Sequence, residues 1–277
     1  MDGMVNTGAI IQVRLGSERL PSKALLPLPF GSGPCILEHV VRRALAAEGL
    51  AKVIVATTNQ PVDDAVELFC TKQGIDVFRG STDNVLQRYV DAAKAHNINI
   101  IVRLTGDNPF ISPKVVADAL RQHLASDADY THTEGLALGT NIEIVTQNAL
   151  VRAAEEATEA TDREHVTPFI RRNECFKKLT LKLQSSLYPL RLTIDYPSDY
   201  ALASLLYERL QQGKNLFDFK DIERLLHDNP WLININSFNT QRIAFASEDE
   251  EIEEAKKVLR HGGFKRTLQR LNEASDG

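Results

Sequence analysis

The sequence has few of the residues that build disulfide frameworks or metal clusters. Its 277 residues include three cysteines, Cys35, Cys70 and Cys175, which are odd in number and widely spaced. This pattern indicates neither a disulfide framework nor a cysteine zinc site. The seven histidines show no paired ligand spacing either. These absences favour a protein of a reducing, cytoplasmic compartment.

Long apolar runs and a basic charge balance are also missing. No apolar run is long enough to cross a bilayer, and residues 1–7 lack the cationic start and apolar core of an export signal. We therefore expect no membrane contact. The formal net charge of -5 argues against broad binding of nucleic acid, which needs a basic face. With 43% hydrophobic and 25% charged residues, the chain has the composition of an ordinary globular protein.

The first half of the chain alternates strand and helix signals. Apolar runs predict buried strands at residues 9–13, 52–56, 76–78 and 98–102, and apolar residues at helical spacing predict helices at residues 35–48, 62–73, 84–96 and 114–124. Ser112 and Pro113 form a typical start for the last of these helices. Alternation with short connections predicts an α/β fold with a Rossmann-like wound sheet.

The second half is less regular. It predicts a polar turn over residues 129–139, a strand at 141–145, helices at 148–157, 163–173 and 195–212, and a small antiparallel β excursion from the apolar runs 179–183 and 190–194. Acidic and then basic residues after Ser247 predict a solvated helix that complements its own dipole. We expect one main domain over residues 1–245 and a C-terminal helical extension over residues 246–277, packed on it.

A basic loop, RLGSERLPSK at residues 14–23, directly follows the first strand. Three cations, Arg14, Arg19 and Lys23, surround Gly16 and Ser17, whose backbone a ligand can approach closely. The loop lacks both the Walker and the dinucleotide-binding glycine patterns. It could be a surface loop with scattered charge, but ligands of open α/β sheets lie beyond the carboxyl ends of strands. The position favours a polyphosphate site.

Two aspartates follow other apolar runs. Asp107, in RLTGDNPFI, comes after the strand at residues 98–102 and is expected at the same sheet edge as the basic loop. A carboxylate that faces a polyphosphate usually does so through magnesium. Asp195 directly follows the run at residues 190–194 and precedes a predicted helix. The alternatives are an ordinary turn around Asp107 and a helix-capping role for Asp195.

Together these segments resemble the CTP-dependent cytidylyltransferases that activate acidic sugars, such as the acylneuraminate and KDO enzymes. They are most similar to the branch of spore coat polysaccharide biosynthesis proteins. The similarity runs over residues 9–210, and its motifs lie at residues 12–23, 55–58, 80–86, 103–107, 163–168 and 192–195. It implies a mixed sheet of the nucleotide-diphospho-sugar transferase (GT-A-like) type and a homodimer.

The resemblance also implies roles for individual residues. Arg14, Arg19 and Lys23 would hold the triphosphate and stabilise charge during catalysis, and Asp107 and Asp195 would hold magnesium. The implied nucleotide-binding residues are Leu15, Gly16, Ser17, Thr57, Gly80, Ser81, Thr105 and Gly106, and the implied acceptor-binding residues are Glu143, Arg163 and His165. His165 could equally be a packing residue.

The sequence departs from the family pattern at two positions. Tyr196 stands where the family usually has threonine, and Asn141 stands where relatives often have an acidic residue. The first departure leaves Asp195 intact but alters the residue beside it. The second removes one negative charge from the segment that contains Glu143.

The function implied is transfer of CMP from CTP to an acidic sugar, or to a small phosphorylated or phosphonate acceptor, with release of pyrophosphate. One alternative is a nucleotide-sugar-dependent glycosyltransferase, whose metal-binding Asp-x-Asp motif could be Asp127 and Asp129. Another is a non-catalytic nucleotide-binding subunit. Such a subunit is expected to have lost Lys23, Asp107 or Asp195, and all three are present.

Overall fold

A computed structural model describes residues 6–31, 33–188, 190–211, 216–239 and 248–275. Its seven strands are β1 (Thr7–Gln12), β2 (Lys52–Thr58), β3 (Asp76–Gly80), β4 (Ile100–Thr105), β5 (Tyr130–Glu134), β6 (Glu143–Thr146) and β7 (Lys178–Lys182). The described helices are α1 (Ile36–Leu45), α2 (Asp64–Gln73), α3 (Val85–Ala95), α4 (Pro113–Ser126), α5 (Gln147–Glu156), α6 (Ala160–His165), α7 (Pro168–Arg172), α8 (Pro197–Leu210), α9 (Phe219–Asp228), α10 (Glu248–His261) and α11 (Lys265–Ser275).

The strands form one mixed sheet in the order β3-β2-β1-β4-β6-β5-β7. Strand β1 pairs in parallel with β2 and β4, and β2 pairs in parallel with β3. Strand β6 is antiparallel to both β4 and β5, and β7 is parallel to β5. The predicted Rossmann-like α/β fold is confirmed. The carboxyl ends of β1 to β4 meet at one edge, which is where the basic loop and Asp107 begin.

Both faces of the sheet are covered by apolar helices, as parallel strands require. On one face, Leu37 of α1, Val66 of α2 and Val116 of α4 are fully buried against the strands. The other face is covered by α3 and α5, with Tyr89 and Leu150 fully buried. A third apolar cluster joins α8 and α9 to the segments around Leu28 and Phe110. This third cluster fixes α8 beside the loop that follows β4.

The prediction of a turn over residues 129–139 is wrong for its first half, where β5 runs between β6 and β7. Tyr130, Thr131 and Thr133 are three of the five residues of β5. Aromatic and β-branched residues favour strands even when they are polar, so threonine content was a poor sign of a turn. The turn proper starts at Gly135, whose φ of +90° is one that glycine adopts readily.

Two other predictions need correction. Residues 179–183 and 190–194 do not form an antiparallel hairpin: the first contributes β7, and the second makes a single parallel bridge from Arg191 to Leu138. The predicted helix at 163–173 is divided into α6 and α7, because Pro168 has no N–H to continue a helix and begins α7 instead.

The C-terminal helices α10 and α11 pack against each other. The expected domain boundary at residues 245–246 lies outside the described residues, and the division into two units stays a prediction. The homodimer also stays a prediction. Within the described ranges, no helix is long and apolar enough to cross a membrane.

Candidate active site

The basic loop is fastened to the sheet by a buried aspartate. Asp63 is 1% exposed and accepts a hydrogen bond from the backbone N–H of Leu15 at 2.7 Å and another from the hydroxyl of Thr58. The Leu15 carbonyl accepts the N–H of Ser17 at 2.8 Å and of Ser22 at 3.3 Å. Leu15 is therefore the anchor on which the loop folds.

The tip of the loop is open. Gly16 is exposed, and a Cβ added there would meet nothing within 4 Å. Neither packing nor a left-handed backbone requires glycine at this position, so the absent side chain leaves room for a ligand at the backbone. Arg14 is exposed beside it, and Ser17 is partly buried.

The centre of the site is one ammonium shared by two carboxylates. Lys23 Nζ lies 2.7 Å from Oδ2 of Asp107 and 2.8 Å from Oδ1 of Asp195. The three side chains are 12%, 25% and 23% exposed. Burial lowers the pKa of Lys23, but the two carboxylates outweigh it and the pKa is raised. Burial likewise raises the pKa of Asp195, yet Lys23, Arg191 and Arg19 hold that pKa below the ordinary value. The shifted pKa values of Lys23 and Asp195 both favour the charged form at neutral pH.

Backbone contacts bring the two aspartates together although they are far apart in sequence. The N–H of Ile194 donates to the carbonyl of Asp107 at 3.0 Å. Gly106 donates its N–H to the carbonyl of Gln12 at 2.8 Å, and a Cβ on it would lie 3.0 Å from Val13. Gly106 thus allows the end of β4 to pack against the end of β1.

Arg19 is held by the aromatic ring that departs from the family pattern. Its guanidinium carbon lies 4.5 Å from the ring centroid of Tyr196, and Nη1 donates to the Tyr196 hydroxyl at 2.8 Å. Nη2 is 3.7 Å from Oδ1 of Asp195. The ring therefore orders Arg19 next to the shared ammonium.

A cavity of about 440 Å³ opens beside the basic loop, at the carboxyl edge of β1 and β4. The residues that line it are Gln12, Val13, Arg14, Thr82, Asp83, Val85, Arg88, Arg103, Thr105, Ala160, Glu164 and His165. Arg14, Thr105 and His165 were predicted site residues, so the structure brings them together. The volume of the cavity suits a nucleoside.

The loop between β3 and α3 shapes one wall of this cavity. Ser81 Oγ accepts the N–H of Asn84, and the Ser81 carbonyl accepts Nη1 of Arg88 at 2.6 Å. Gly80 is buried, and a Cβ on it would lie 3.0 Å from Cγ of Arg88. Thr57 lies inside β2, fully buried, and its hydroxyl has no hydrogen-bond partner within the described ranges.

Glu143, predicted to bind the acceptor, is engaged by internal donors. Its carboxylate accepts Nη1 of Arg103 at 2.6 Å, the Thr167 hydroxyl at 2.8 Å and the Tyr130 hydroxyl. Burial favours a higher pKa for Glu143, but Arg103 and the two hydroxyls overcome that effect and hold the pKa below its ordinary value. Glu143 therefore fixes Arg103, which lines the cavity.

His165 stands next to a strained turn. Val166 has φ of +73° and ψ of -52°, and the Thr167 N–H donates to the His165 carbonyl at 2.8 Å, which is a γ-turn of the strained kind. A β-branched residue is costly there, and such strain clusters at functional sites. His165 is exposed and lines the cavity, whereas Arg163 is exposed and does not line it.

The Asp-x-Asp pair lies at the opposite edge of the sheet. Strand β5 runs parallel to β1, so Asp127 and Asp129, which precede β5, are at its amino end. The strands are roughly 17–20 Å long. Asp129 accepts the backbone N–H of Lys177 at 2.9 Å, and Asp127 pairs with the Lys177 ammonium at 3.1 Å. This arrangement is a polar turn, distant from the basic loop.

The donor set fits a magnesium ion that is shared with a phosphate. Asp107 and Asp195 direct hard carboxylate oxygens toward one point, which the positively charged Nζ of Lys23 occupies in this structure. In the described part of the chain, no group of three or more His, Cys, Asp or Glu side chains could hold a metal. Magnesium suits such a site, since it is commonly held by one or two carboxylates with the remaining ligands from substrate phosphates and water.

Sequence reasoning missed Asp63, Arg191 and Asp199, which position the predicted residues. Asp63 is the last residue of a proline-initiated 3-10 turn and belongs to no recognised motif. Arg191 and Asp199 flank Asp195 at four residues on either side, and that symmetric spacing was the available signal. Their contacts are described below.

Comparison with known proteins agrees with this geometry. The sequence model described as "Cytidylyltransferase" matches residues 8–225. The chain is 35% identical over 228 residues to the spore coat polysaccharide biosynthesis protein SpsF of Bacillus subtilis, covering 80% of this chain and 94% of that protein. It is 35% identical to a 3-deoxy-manno-octulosonate cytidylyltransferase of Escherichia coli over 112 residues, 40% of this chain and 44% of that one.

A solved structure is also similar. The cytidylyltransferase from Leptospira borgpetersenii superposes with a TM-score of 0.77 at 32% identity, over 87% of this chain and 100% of that one. The match to the family covers the basic loop, both aspartates and the cavity. The chain therefore belongs to the cytidylyltransferase family.

Proposed function

We propose that this cytidylyltransferase moves CMP from CTP to an acidic sugar and releases pyrophosphate, for the synthesis of surface polysaccharide or glycoconjugate precursors. The observation that carries the proposal is the Lys23 ammonium held between Asp107 and Asp195 at the edge where the basic loop begins. The name of the octulosonate relative supports the acidic-sugar class, and the name of the spore coat relative supports a role in polysaccharide synthesis. A small phosphorylated or phosphonate acceptor fits the same chemistry.

The reaction needs no nucleophile from the protein. An acceptor oxygen attacks the α-phosphorus of CTP, the bond from that phosphorus to the bridging oxygen breaks, and pyrophosphate leaves. Arg14, Arg19 and Lys23 bind the triphosphate and stabilise the charge that develops on it, which is catalysis by positioning and electrostatics. The loop backbone at Gly16 and Ser17 adds contacts to the phosphates.

Magnesium is the cofactor of the proposal, with Asp107 and Asp195 as its protein ligands. When bound, it supplies positive charge to the phosphoryl oxygens. Asp107 and Asp195 would hold the metal, and the ammonium of Lys23, which lies between them, would contact the triphosphate. Thr105 and His165 line the nucleoside cavity, whereas Gly80 and Ser81 do not line it and instead precede Thr82 and Asp83, which do.

The two alternatives have less support. A glycosyltransferase that used Asp127 and Asp129 would have its metal at the edge opposite the basic loop. A non-catalytic subunit would not be expected to keep Lys23, Asp107 and Asp195 in mutual contact.

The test is pyrophosphate release with each of the four ribonucleoside triphosphates against a panel of acidic sugars, polyol phosphates and phosphonates. In the presence of magnesium, we expect pyrophosphate to be released from CTP when one of the acidic sugars is the acceptor. Pyrophosphate release with a polyol phosphate alone would show that the acceptor is a phosphorylated polyol and not an acidic sugar. Release independent of the base would remove the claim for CTP.

A further inference from the structure

Asp199 is the most heavily hydrogen-bonded carboxylate near the site, although it does not face the basic loop. Its side chain is 0% exposed. It accepts Nε of Arg191 at 3.0 and 3.1 Å, and the backbone N–H groups of Asp195 and Tyr196 at 3.0 Å each. It thereby fixes both the guanidinium and the backbone on which Asp195 is carried.

Two asparagine side chains also donate hydrogen bonds to the carboxylate of Asp199. Nδ2 of Asn236 lies 3.0 Å and Nδ2 of Asn239 lies 2.7 Å from its Oδ1. Asn236 also donates to the carbonyl of Arg191 at 2.9 Å and is itself only 4% exposed. Both asparagines lie beyond residues 8–225, the part that matches the family, so this chain supplies the contacts from a segment outside that match.

Arg191 links Asp199 to Asp195. It is 8% exposed, and its Nη2 donates to Oδ2 of Asp195 at 2.7 Å. The other oxygen of Asp195, Oδ1, faces Lys23 at 2.8 Å and Arg19 at 3.7 Å. The two carboxylate oxygens therefore have separate tasks: Oδ2 is occupied by Arg191, and Oδ1 is turned toward the cationic position.

We propose that Asp199, held by Asn236 and Asn239, is a positioning residue that acts through Arg191, so that Asp195 presents Oδ1 alone to the metal. Without Asp199, Arg191 keeps one carboxylate partner, Asp195, in a site that is nearly closed to water. A buried guanidinium then competes for both oxygens of Asp195, because removal of one partner leaves its charge uncompensated. This inference rests on the proposed function, since it assumes a metal at Asp107 and Asp195.

The test compares CTP binding with and without metal, by isothermal titration calorimetry on the full chain. Mn²⁺–CTP is the first ligand, and CTP with EDTA is the second. The ratio of the two affinities is the gain that the metal contributes, a coupling between metal and nucleotide. We expect Asp199→Asn to reduce that gain by about 10-fold or more, as loss of residues behind metal ligands does, and to change the affinity for metal-free CTP much less.

The matched control is Thr131→Val, which removes another buried hydrogen bond, the 2.8 Å contact between the Thr131 hydroxyl on β5 and Nδ1 of His123 on α4. Its melting temperature should fall while the metal-dependent gain stays at the wild-type value. If Asp199→Asn does not fold, the double variant Asn236→Ala with Asn239→Ala takes its place. It leaves the Arg191 pair with Asp199 in place and should reduce the gain in the same direction.

The outcomes separate the two ideas. A folded Asp199→Asn protein that keeps the wild-type gain, or loses affinity equally for both ligands, overturns the inference and leaves the proposed function standing. A wild-type protein without any metal-dependent gain overturns the metal site in the proposed function, and the inference with it.

Discussion

Arg19 lies over the ring of Tyr196, with its guanidinium carbon 4.5 Å from the ring centroid and its Nη1 donating a 2.8 Å hydrogen bond to the hydroxyl. The sequence showed Tyr196 as a departure from the family's usual threonine. The structure gives Tyr196 a role: its ring orders Arg19, which we propose binds the triphosphate and which would otherwise lose conformational freedom on binding it.

The two contacts of Tyr196 can be separated by substitution. Tyr196→Phe keeps the stacked ring and loses the hydroxyl, so we expect KM for CTP to rise less than about 3-fold. Tyr196→Thr also loses the ring, and KM should rise about 10-fold, because a cation–π contact contributes roughly 1–2 kcal/mol when partly desolvated. Steady-state kinetics with saturating acceptor measures both. Equal KM values for wild type and Tyr196→Thr would contradict the role given to the ring.

Removal of Lys23 tests the electrostatic centre. Lys23→Met leaves the carboxylates of Asp107 and Asp195 without their shared ammonium and the triphosphate without one cation. We expect kcat to fall about 10²–10³-fold, the size of effect seen when one fixed electrostatic group is lost. Lys23→Arg keeps the charge and should retain more activity. If Lys23→Met turned over within a few-fold of wild type, Lys23 would have no electrostatic role in the reaction.

Asp63 tests whether the loop must be fastened. Asp63→Asn retains the shape but weakens the hydrogen bonds from the Leu15 N–H and the Thr58 hydroxyl. We expect KM for CTP to rise about 10-fold. The free energy of unfolding should fall by roughly 1–3 kcal/mol, because buried groups lose part of their hydrogen bonding, and the melting temperature should fall with it. Calorimetry and steady-state kinetics report the two effects. Thr58→Val leaves the hydrogen bond from Leu15 to Asp63 in place, although it also removes the acceptor of the Gln60 N–H at 3.2 Å, and it should give the smaller change in KM.

Much of this site could be predicted from sequence because its chemistry is local. The basic loop follows β1 directly and Asp107 follows β4. Because β1 and β4 are parallel, the loop and Asp107 lie at the same edge of the sheet. The pairing of Lys23 with Asp195 depends on the backbone bond from Ile194 to Asp107, which no periodicity encodes. The role of Asp63 was equally hidden, since a buried aspartate and a turn-forming one look alike in sequence. Strand β5 was missed because its threonines resemble a polar turn.

Stability should fall in mildly acidic solution because of a buried histidine. Burial lowers the pKa of His39 to about 4, although its ring contacts the Leu28 carbonyl at 2.7 Å. The unfolded chain binds a proton near pH 6.5 and the folded chain does not, so the contribution of neutral His39 is complete above pH 6.5. It is lost as the pH falls toward 4. The lowered pKa of His123 acts in the same direction.

Thermal unfolding at pH 7.5 and at pH 5 measures this effect. We expect a clear drop in the melting temperature of the wild type, and a smaller drop for His39→Gln, which has no imidazole to protonate. The variant should start from a lower melting temperature at pH 7.5, since it disturbs packing against Tyr207. An identical drop in both proteins would assign the pH dependence to other groups.

The last prediction separates the two candidate metal sites. Asp107 and Asp195 share the Lys23 ammonium at the edge where the basic loop begins, whereas Asp129 binds the Lys177 backbone at the opposite edge. Asp107→Asn and Asp195→Asn should each lower turnover by orders of magnitude, because magnesium prefers carboxylate oxygens and would lose one of two protein ligands. Asp129→Asn should change turnover little. Activity measured against magnesium concentration, with circular dichroism to confirm folding, gives the comparison. Loss of activity in Asp129→Asn alone would favour the glycosyltransferase alternative and reject the assignment of Asp107 and Asp195.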